Sequence, residues 1–203
     1  MRRKVGVAFV FLGVLLLCGA LCLYLNNNNE EVQAQVSSQA VLPQVMKQIP
    51  QEPEEEVLIE RLTPVEYLPP EAFEMTEVEI DGYSYIGYIS IPVLGIELPV
   101  MSDWDYARLK IAPCRYTGSI NGEDLVLLAH NYLIHFGTIS KLQMGDTVMF
   151  TDMDGVVTTY EVVGRDILPP TAVEEMTSGD FDLTLFTCTY GGENRVTVYC
   201  DEV

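Results

Sequence analysis

Basic side chains are scarce in this chain of 203 residues. Eleven Lys and Arg stand against 30 Asp and Glu, for a formal charge of −19. A surface of that sign repels phosphate backbones and excludes nucleic acid as a partner. Cysteine is too thin for a disulfide scaffold: there are five, an odd number. There are only two histidines, His130 and His135. Five residues apart, they do not share a helical face, and no Cys/His cluster supplies the roughly four ligands of a zinc site. No metal and no cofactor is therefore expected. Long apolar runs are also rare, with a single example at the N-terminus. What the chain does have is a hydrophobic content of 48%, enough for a real core and against wholesale disorder.

Charge and hydropathy divide the chain into three regions. Residues 5–25, VGVAFVFLGVLLLCGALCLYL, carry no charge over 21 positions and follow Arg2-Arg3-Lys4. As a helix this run is about 31 Å long, the thickness of a bilayer's hydrocarbon core. It exceeds the usual apolar region of a cleaved signal peptide, and no small-residue cleavage site follows it. Residues 1–25 are thus expected to be a cytoplasmic basic flank and a single-pass transmembrane signal-anchor. The N-terminus lies inside the plasma membrane and the rest outside, by the positive-inside rule. Residues 26–79 begin with Asn26-Asn27-Asn28-Asn29, hold 12 acids and two bases, and include PQEPEEE and Pro69-Pro70. That composition predicts an extended acidic extracellular linker, with room for a short helix over Glu54–Leu62.

Residues 80–203 change to short β-type runs broken by turn residues. YIGYISI (85–91), IELPVM (96–101), LVLLA (125–129), 147–151, 156–163, LTLFT (183–187) and RVTVYC (195–200) all read as strands. The continuous apolar run at 125–129 predicts a strand buried on both faces. Asp154-Gly155 marks a hairpin. Ser102 with Asp105 suggests a capped helix through Leu109, one or two helical turns are expected over Phe136–Leu142, and a short helix follows Pro169-Pro170. The expected fold is mainly β: about eight strands with short helices in a small barrel or sandwich.

Three side chains with chemical potential stand at strand ends, where a scaffold fixes the backbone yet presents the side chain. His130 follows LVLLA, Cys188 ends LTLFT, and Arg195 opens the next strand after a six-residue loop. A thiol is a strong nucleophile only as thiolate, so in an acidic domain Cys188 needs local positive charge or a base. Arg195 can supply the charge and hydrogen bonds to a developing oxyanion. His130 can take and return a proton near neutral pH. Cys114 and Cys200 read instead as small buried hydrophobes.

These stretches resemble the sortase family. LTLFTCTYGGENRVTVYC (183–200) is similar to its TLxTC signature followed by Arg on the next strand. LVLLAHNYLIHFGTISKLQMGDTVMF (125–150) is similar to its His segment with the FG, Leu and GD continuation. GYISIPVLGIELPV (87–100) is similar to its opening motif, and the N-terminal anchor also matches. The resemblance implies an eight-stranded sortase β-barrel over residues 80–203 and a cysteine transpeptidase, a thiol-protease type of enzyme, on the outer face of a Gram-positive membrane. It implies Cys188 as the nucleophile that cleaves an LPxTG-like sorting signal and forms a thioester. His130 becomes the proton-transfer residue and Arg195 the oxyanion partner. Thr187 and Asn131 are implied substrate-binding positions. The acyl group passes to an amine of a peptidoglycan precursor or a pilin. Asn131 after the histidine is a class B feature, whereas the 169–182 loop is shorter than the class B insertion, so the class stays open. Two other readings of the residues stand beside this one: another cysteine peptidase or transpeptidase, and a membrane-anchored, non-enzymatic β-barrel binding module with Cys188 in its core.

Overall fold

Nine strands follow residue 77, and eight of them close into a ring. The computed structural model describes residues 2–51 and 74–203. Its strands are β1 (Val78–Ile80), β2 (Tyr83–Ile91), β3 (Ile96–Met101), β4 (Cys114–Thr117), β5 (Leu125–Leu128), β6 (Thr147–Asp152), β7 (Val157–Leu168), β8 (Leu183–Cys188) and β9 (Arg195–Glu202). They neighbour one another in the order β1-β2-β3-β4-β5-β8-β9-β7-β6, and β6 pairs back onto β2 to close the barrel. The fold is the expected mainly β barrel with short helices and a long apolar N-terminal helix. Strand β1 is extra. It pairs with the start of β2 (Ile80 opposite Tyr83), and β6 takes over the same edge from Gly87 onward. Gly87 allows this handover: its φ is +144°, and a Cβ there would collide with the Thr151 carbonyl of β6.

The apolar pattern explains the layers. Leu125 and Leu127 of β5 enter the barrel core with Ile86, Ile89, Phe136, Phe150, Leu185 and Val198. Val126 and Leu128 point the other way, into a second cluster with Tyr85, Met101, Cys114, Met176 and Phe186. All four residues of β5 are buried, as its unbroken apolar run predicts. Both faces are buried because β5, paired in the sheet with β4 and β8, lies between the barrel core and the outer cluster.

The helical elements depart from expectation in two places. Helix α1 spans Arg2–Gln48, so it does not stop where the apolar run ends at Leu25. The extended stalk expected from residue 26 therefore does not describe residues 26–48. Gln, Glu and Ala favour helix, and tertiary packing supplies the rest. Ala34, Ser38, Val41, Val45 and Ile49 are buried, and this stripe at spacings of four, three, four and four docks on the outer cluster beside β1, β2 and β3. Pro43 sits in the helix on its exposed side. The N-terminal part of α1 is long and apolar enough to cross a membrane, and none of that window is buried by protein. The helix expected from Ser102 is reduced to one tight turn, Arg108–Lys110, capped by Asp105 rather than Ser102: Asp105 Oδ1 accepts from the N–H groups of Ala107 and Arg108, both at 2.7 Å. A tight turn at Ile139–Lys141 and one helical turn, α2 (Val173–Met176), fill the other expected positions. The short helix considered over Glu54–Leu62 lies outside the described residues.

Candidate active site

Strand register brings the three singled-out side chains to one end of the barrel. Strands β5 and β8 run parallel, with Leu128 beside Phe186. The pairing continues past the end of β5. The Ala129 N–H donates to the Phe186 carbonyl at 3.3 Å, and the Thr187 hydroxyl donates to the Ala129 carbonyl at 2.8 Å. Asn131 Nδ2 then reaches the Thr189 carbonyl at 3.4 Å. His130, between those ties, lies alongside Cys188 on the neighbouring strand. On the other side, β8 and β9 are antiparallel and Cys188 is the direct partner of Arg195. Directly opposed residues share a sheet face with Cβ atoms about 4.5–5.5 Å apart. Cys188 is thus flanked by the histidine on one neighbouring strand and the arginine on the other.

The alternation along β8 decides which way the sulfur faces. Leu183 and Leu185 enter the barrel core, while Phe186 belongs to the outer cluster. Two residues on, Cys188 shares the side of Phe186 and is partly exposed. The other two domain cysteines differ. Cys114 and Cys200 are fully buried, and burial pushes both thiols up to about 12. They are small core hydrophobes, as expected, and of the domain's cysteines only Cys188 is open to a reactant.

Thr187 sits on the opposite side of β8 from Cys188 and is buried. Its hydroxyl is committed to Ala129, so it fixes the spacing of the His130 and Cys188 strands from beneath. Asn131 does the same from above through Thr189. The Arg195 guanidinium folds over its own loop, with Nη1 donating to the carbonyls of Gly192 and Asn194, each at 3.1 Å. Among the described residues its Nε and Nη2 have no acceptor, which leaves donors for a ligand oxygen.

His130 is half-buried, and among the described residues its Nε2 has no hydrogen-bond partner. Burial is the main reason its pKa lies below the ordinary histidine value. The positive Lys110 adds to that, and Glu30 of α1 opposes it. The ring therefore stays neutral through physiological pH, the state that can accept a proton. The loop carrying it is tightly folded. Phe136 N–H returns to the His130 carbonyl at 3.2 Å, and Gly137 N–H returns to the Tyr132 carbonyl at 2.9 Å. Glycine is required at 137 because a Cβ would strike the Asn131 and Tyr132 carbonyl oxygens.

Sequence reading missed the neighbours of this loop. Tyr132 lies between the two histidines, with ring centroids 4.8 Å from His130 and 5.6 Å from His135. Its hydroxyl donates to Glu30 at 3.5 Å, Leu133 N–H donates to Glu31 at 2.7 Å, and His135 Nε2 meets the Ser38 hydroxyl at 3.1 Å. The signal available was the buried-side spacing of Ala34, Ser38, Val41 and Val45, which places Ser38 on the docked face of α1.

An open cleft of about 580 Å³ lies on the outer surface, lined by Ser102, Trp104, Arg108, Arg115 and Tyr116 among others. None of His130, Cys188 and Arg195 lines it. It connects to them through aromatic contacts: Trp104 stacks on Tyr116 at 5.6 Å, and Tyr116 meets Phe186 edge-on at 5.4 Å, two residues before Cys188.

Comparison with known proteins gives the family. The Sortase domain model matches residues 89–203. No curated protein matches the chain. Among solved structures, Clostridium perfringens sortase C is 26% identical with a TM-score of 0.54, over 80% of this chain and 89% of that one. A second structure of Clostridium perfringens sortase C is 24% identical with a TM-score of 0.61, over 82% and 99%. Streptococcus pneumoniae sortase C is 22% identical with a TM-score of 0.57, over 81% and 96%. The family match covers more than half of the chain, and the solved neighbours share its fold. The chain belongs to the sortase family of transpeptidases.

Proposed function

We propose that this protein is a membrane-anchored cysteine transpeptidase that cleaves an LPxTG-like sorting signal and transfers the acyl part to an amine. The observation that carries the reading is the placement of the partly exposed Cys188 between His130 and Arg195, through the β5–β8 and β8–β9 registers. The substrate class is supported by a family neighbour: one Clostridium perfringens sortase C structure was solved with the C-terminal cell wall sorting motif.

The chemistry follows from the side chains. Cys188 Sγ attacks the threonine carbonyl of the signal, and neutral His130 accepts the thiol proton. The oxygen that gains charge is held by the free donors of Arg195. The tetrahedral species collapses, the Thr–Gly bond breaks, and His130 returns the proton to the departing amine. A thioester on Cys188 remains. An incoming amine attacks it, His130 takes the amine's proton and hands it to the leaving sulfur, and the new amide departs. Packed over the buried Phe186, the more exposed Tyr116 and Trp104 offer apolar surface for the Leu-Pro part of the signal. The acceptor is an amine of a peptidoglycan precursor or of a pilin; Streptococcus pneumoniae sortase C has been examined for pilin substrate specificity.

The apolar part of α1 is the anchor in this reading, with Arg2-Arg3-Lys4 at the cytoplasmic side and the barrel outside. From Leu25 to the first buried residue, Ala34, the helix advances only about 14 Å, so the barrel stands close to the bilayer.

Incubating the full chain with a library of LPxTG-type peptides and several amines tests the proposal. Expected products are amide-linked peptide–amine conjugates and a trapped thioester on Cys188, both lost in Cys188→Ala. Full activity in Cys188→Ala would overturn the mechanism, and hydrolysis without transfer to any amine would make the protein a peptidase.

A further inference from the structure

Helix α1 does more at the barrel than fill an apolar groove. Three of its polar side chains reach the loop that carries His130. Glu30 accepts from the Tyr132 hydroxyl and pairs with Lys110 at 3.3 Å. Glu31 accepts from Leu133 N–H at 2.7 Å. Ser38, 2% exposed, meets His135, which is fully buried.

The proton positions at Ser38 can be assigned. Its hydroxyl has one hydrogen, and the Ile111 carbonyl it contacts can only accept, so that hydrogen goes to Ile111. Toward His135 the Ser38 oxygen must then be the acceptor, and His135 Nε2 carries the proton. Nδ1 of His135 is left with its lone pair, and it is the ring nitrogen that has no partner among the described residues. Burial, reinforced by His130, pushes the His135 pKa down to about 4, which agrees with a neutral ring. His135 is therefore a fixed neutral donor with one partner, a serine on the helix that leads out of the apolar segment.

The loop transmits that fixation to His130. The next residue after His135, Phe136, returns its N–H to the His130 carbonyl, and the His135 N–H itself bonds the Tyr132 carbonyl at 3.0 Å. The Tyr132 ring lies against both histidines. Moving His135 moves both backbone ties and the ring packed on His130.

We propose that the Glu30–Ser38 segment of α1 is a positioning element of the reaction, holding the His130 loop in register with Cys188 through the Ser38–His135 and Glu31–Leu133 hydrogen bonds. Ser38 and Glu31 touch no substrate. They act through His130, and so the inference rests on the functional reading above. The consequence is that the same helix that anchors the protein completes its catalytic geometry.

The test measures Cys188 alkylation by iodoacetamide in the full chain in detergent micelles, followed by mass spectrometry of the Cys188 peptide between pH 5 and 9. Parent, His130→Ala, Ser38→Ala, Ser38→Thr and Glu31→Ala are compared, with thermal melting of each. The parent profile should differ from His130→Ala. Ser38→Ala should fall about tenfold toward the His130→Ala rate, the scale expected when a base is displaced by a fraction of an ångström. Ser38→Thr, which keeps the acceptor oxygen, should restore most of the rate. Glu31→Ala, a surface change, should lower the rate about threefold with melting unchanged, and it decides the matter should Ser38→Ala fail to fold. A Ser38→Ala profile equal to the parent's, or an equal loss in Ser38→Thr, would overturn the positioning role while leaving His130 in place. Identical profiles for parent and His130→Ala would overturn the functional reading, and this inference with it.

Discussion

Cys188 and Arg195 are directly opposed across the β8–β9 ladder, the last residue of one strand and the first of the next. The pairing fixes the two backbones opposite each other on one sheet face, with the Arg195 side chain rooted next to that of Cys188. The loop between them holds the guanidinium, through the Gly192 and Asn194 carbonyls.

Arg195→Lys keeps the charge and loses the planar fork. Transfer activity should fall by about 10²–10³, the cost of removing an oxyanion donor, while melting stays close to the parent because the side chain is partly exposed. Steady-state rates on a cleaved peptide together with a melting curve check this. A variant within threefold of the parent would remove Arg195 from the reaction.

The pH profile of transfer should show its acid limb below the ordinary histidine value of 6.5, because burial and Lys110 hold His130 neutral to lower pH. Activity is then retained at neutral pH and lost on acidification as the ring protonates. Initial rates between pH 4.5 and 8 locate the limb, and a limb above 6.5 would contradict the assignment.

His135 should make the fold acid-sensitive. Its folded pKa of about 4 lies below the unfolded value of 6.5, so unfolding takes up a proton between those limits. The stability it contributes is complete above pH 6.5 and is lost as pH falls toward 4, by up to about 3 kcal/mol. Denaturant melts of parent and His135→Gln at pH 7, 5.5 and 4.5 should converge as pH falls. Parallel curves would show that the ring is not held neutral.

Undocking α1 should cost stability at one face only. Val45 is fully buried, and Val45→Ala should destabilise the barrel–helix unit by about 2 kcal/mol. Val36, 63% exposed, should tolerate alanine to within about 0.5 kcal/mol. Melting of both variants in micelles measures the difference, and equal effects would mean that the helix is not seated as described.

Much of the barrel was readable from local pattern. Alternation marks β2, β8 and β9, and the unbroken run of β5 announces burial on both faces, which only a second apolar layer can satisfy. The positions of Cys188 and Arg195 at strand ends a short loop apart already implied their meeting. The continuation of α1 was hidden for a physical reason. Asn, Gln and Glu dominate residues 26–48, and the docked face uses Ala34 and Ser38 as well as Val41 and Val45. Such a stripe has little hydrophobicity of its own, and the apolar surface that rewards it comes from Tyr85, Met101, Leu109 and Cys114, far along the chain. The cap before Arg108 is Asp105 and not Ser102, since it is the Asp105 carboxylate that accepts from the N–H groups two and three residues on.

Residue order alone set the apolar N-terminal helix, the mainly β domain, and the choice of Cys188, His130 and Arg195 as proposed nucleophile, base and cation, since these depend on local periodicity and side-chain chemistry. Folding in three dimensions set which neighbours those groups have. The parallel β5–β8 register puts His130 beside Cys188 across 57 intervening residues. The docked helix brings Ser38 to His135 from 97 positions away. Contacts of that separation depend on two surfaces meeting, and neither surface carries in its own sequence the shape of the other.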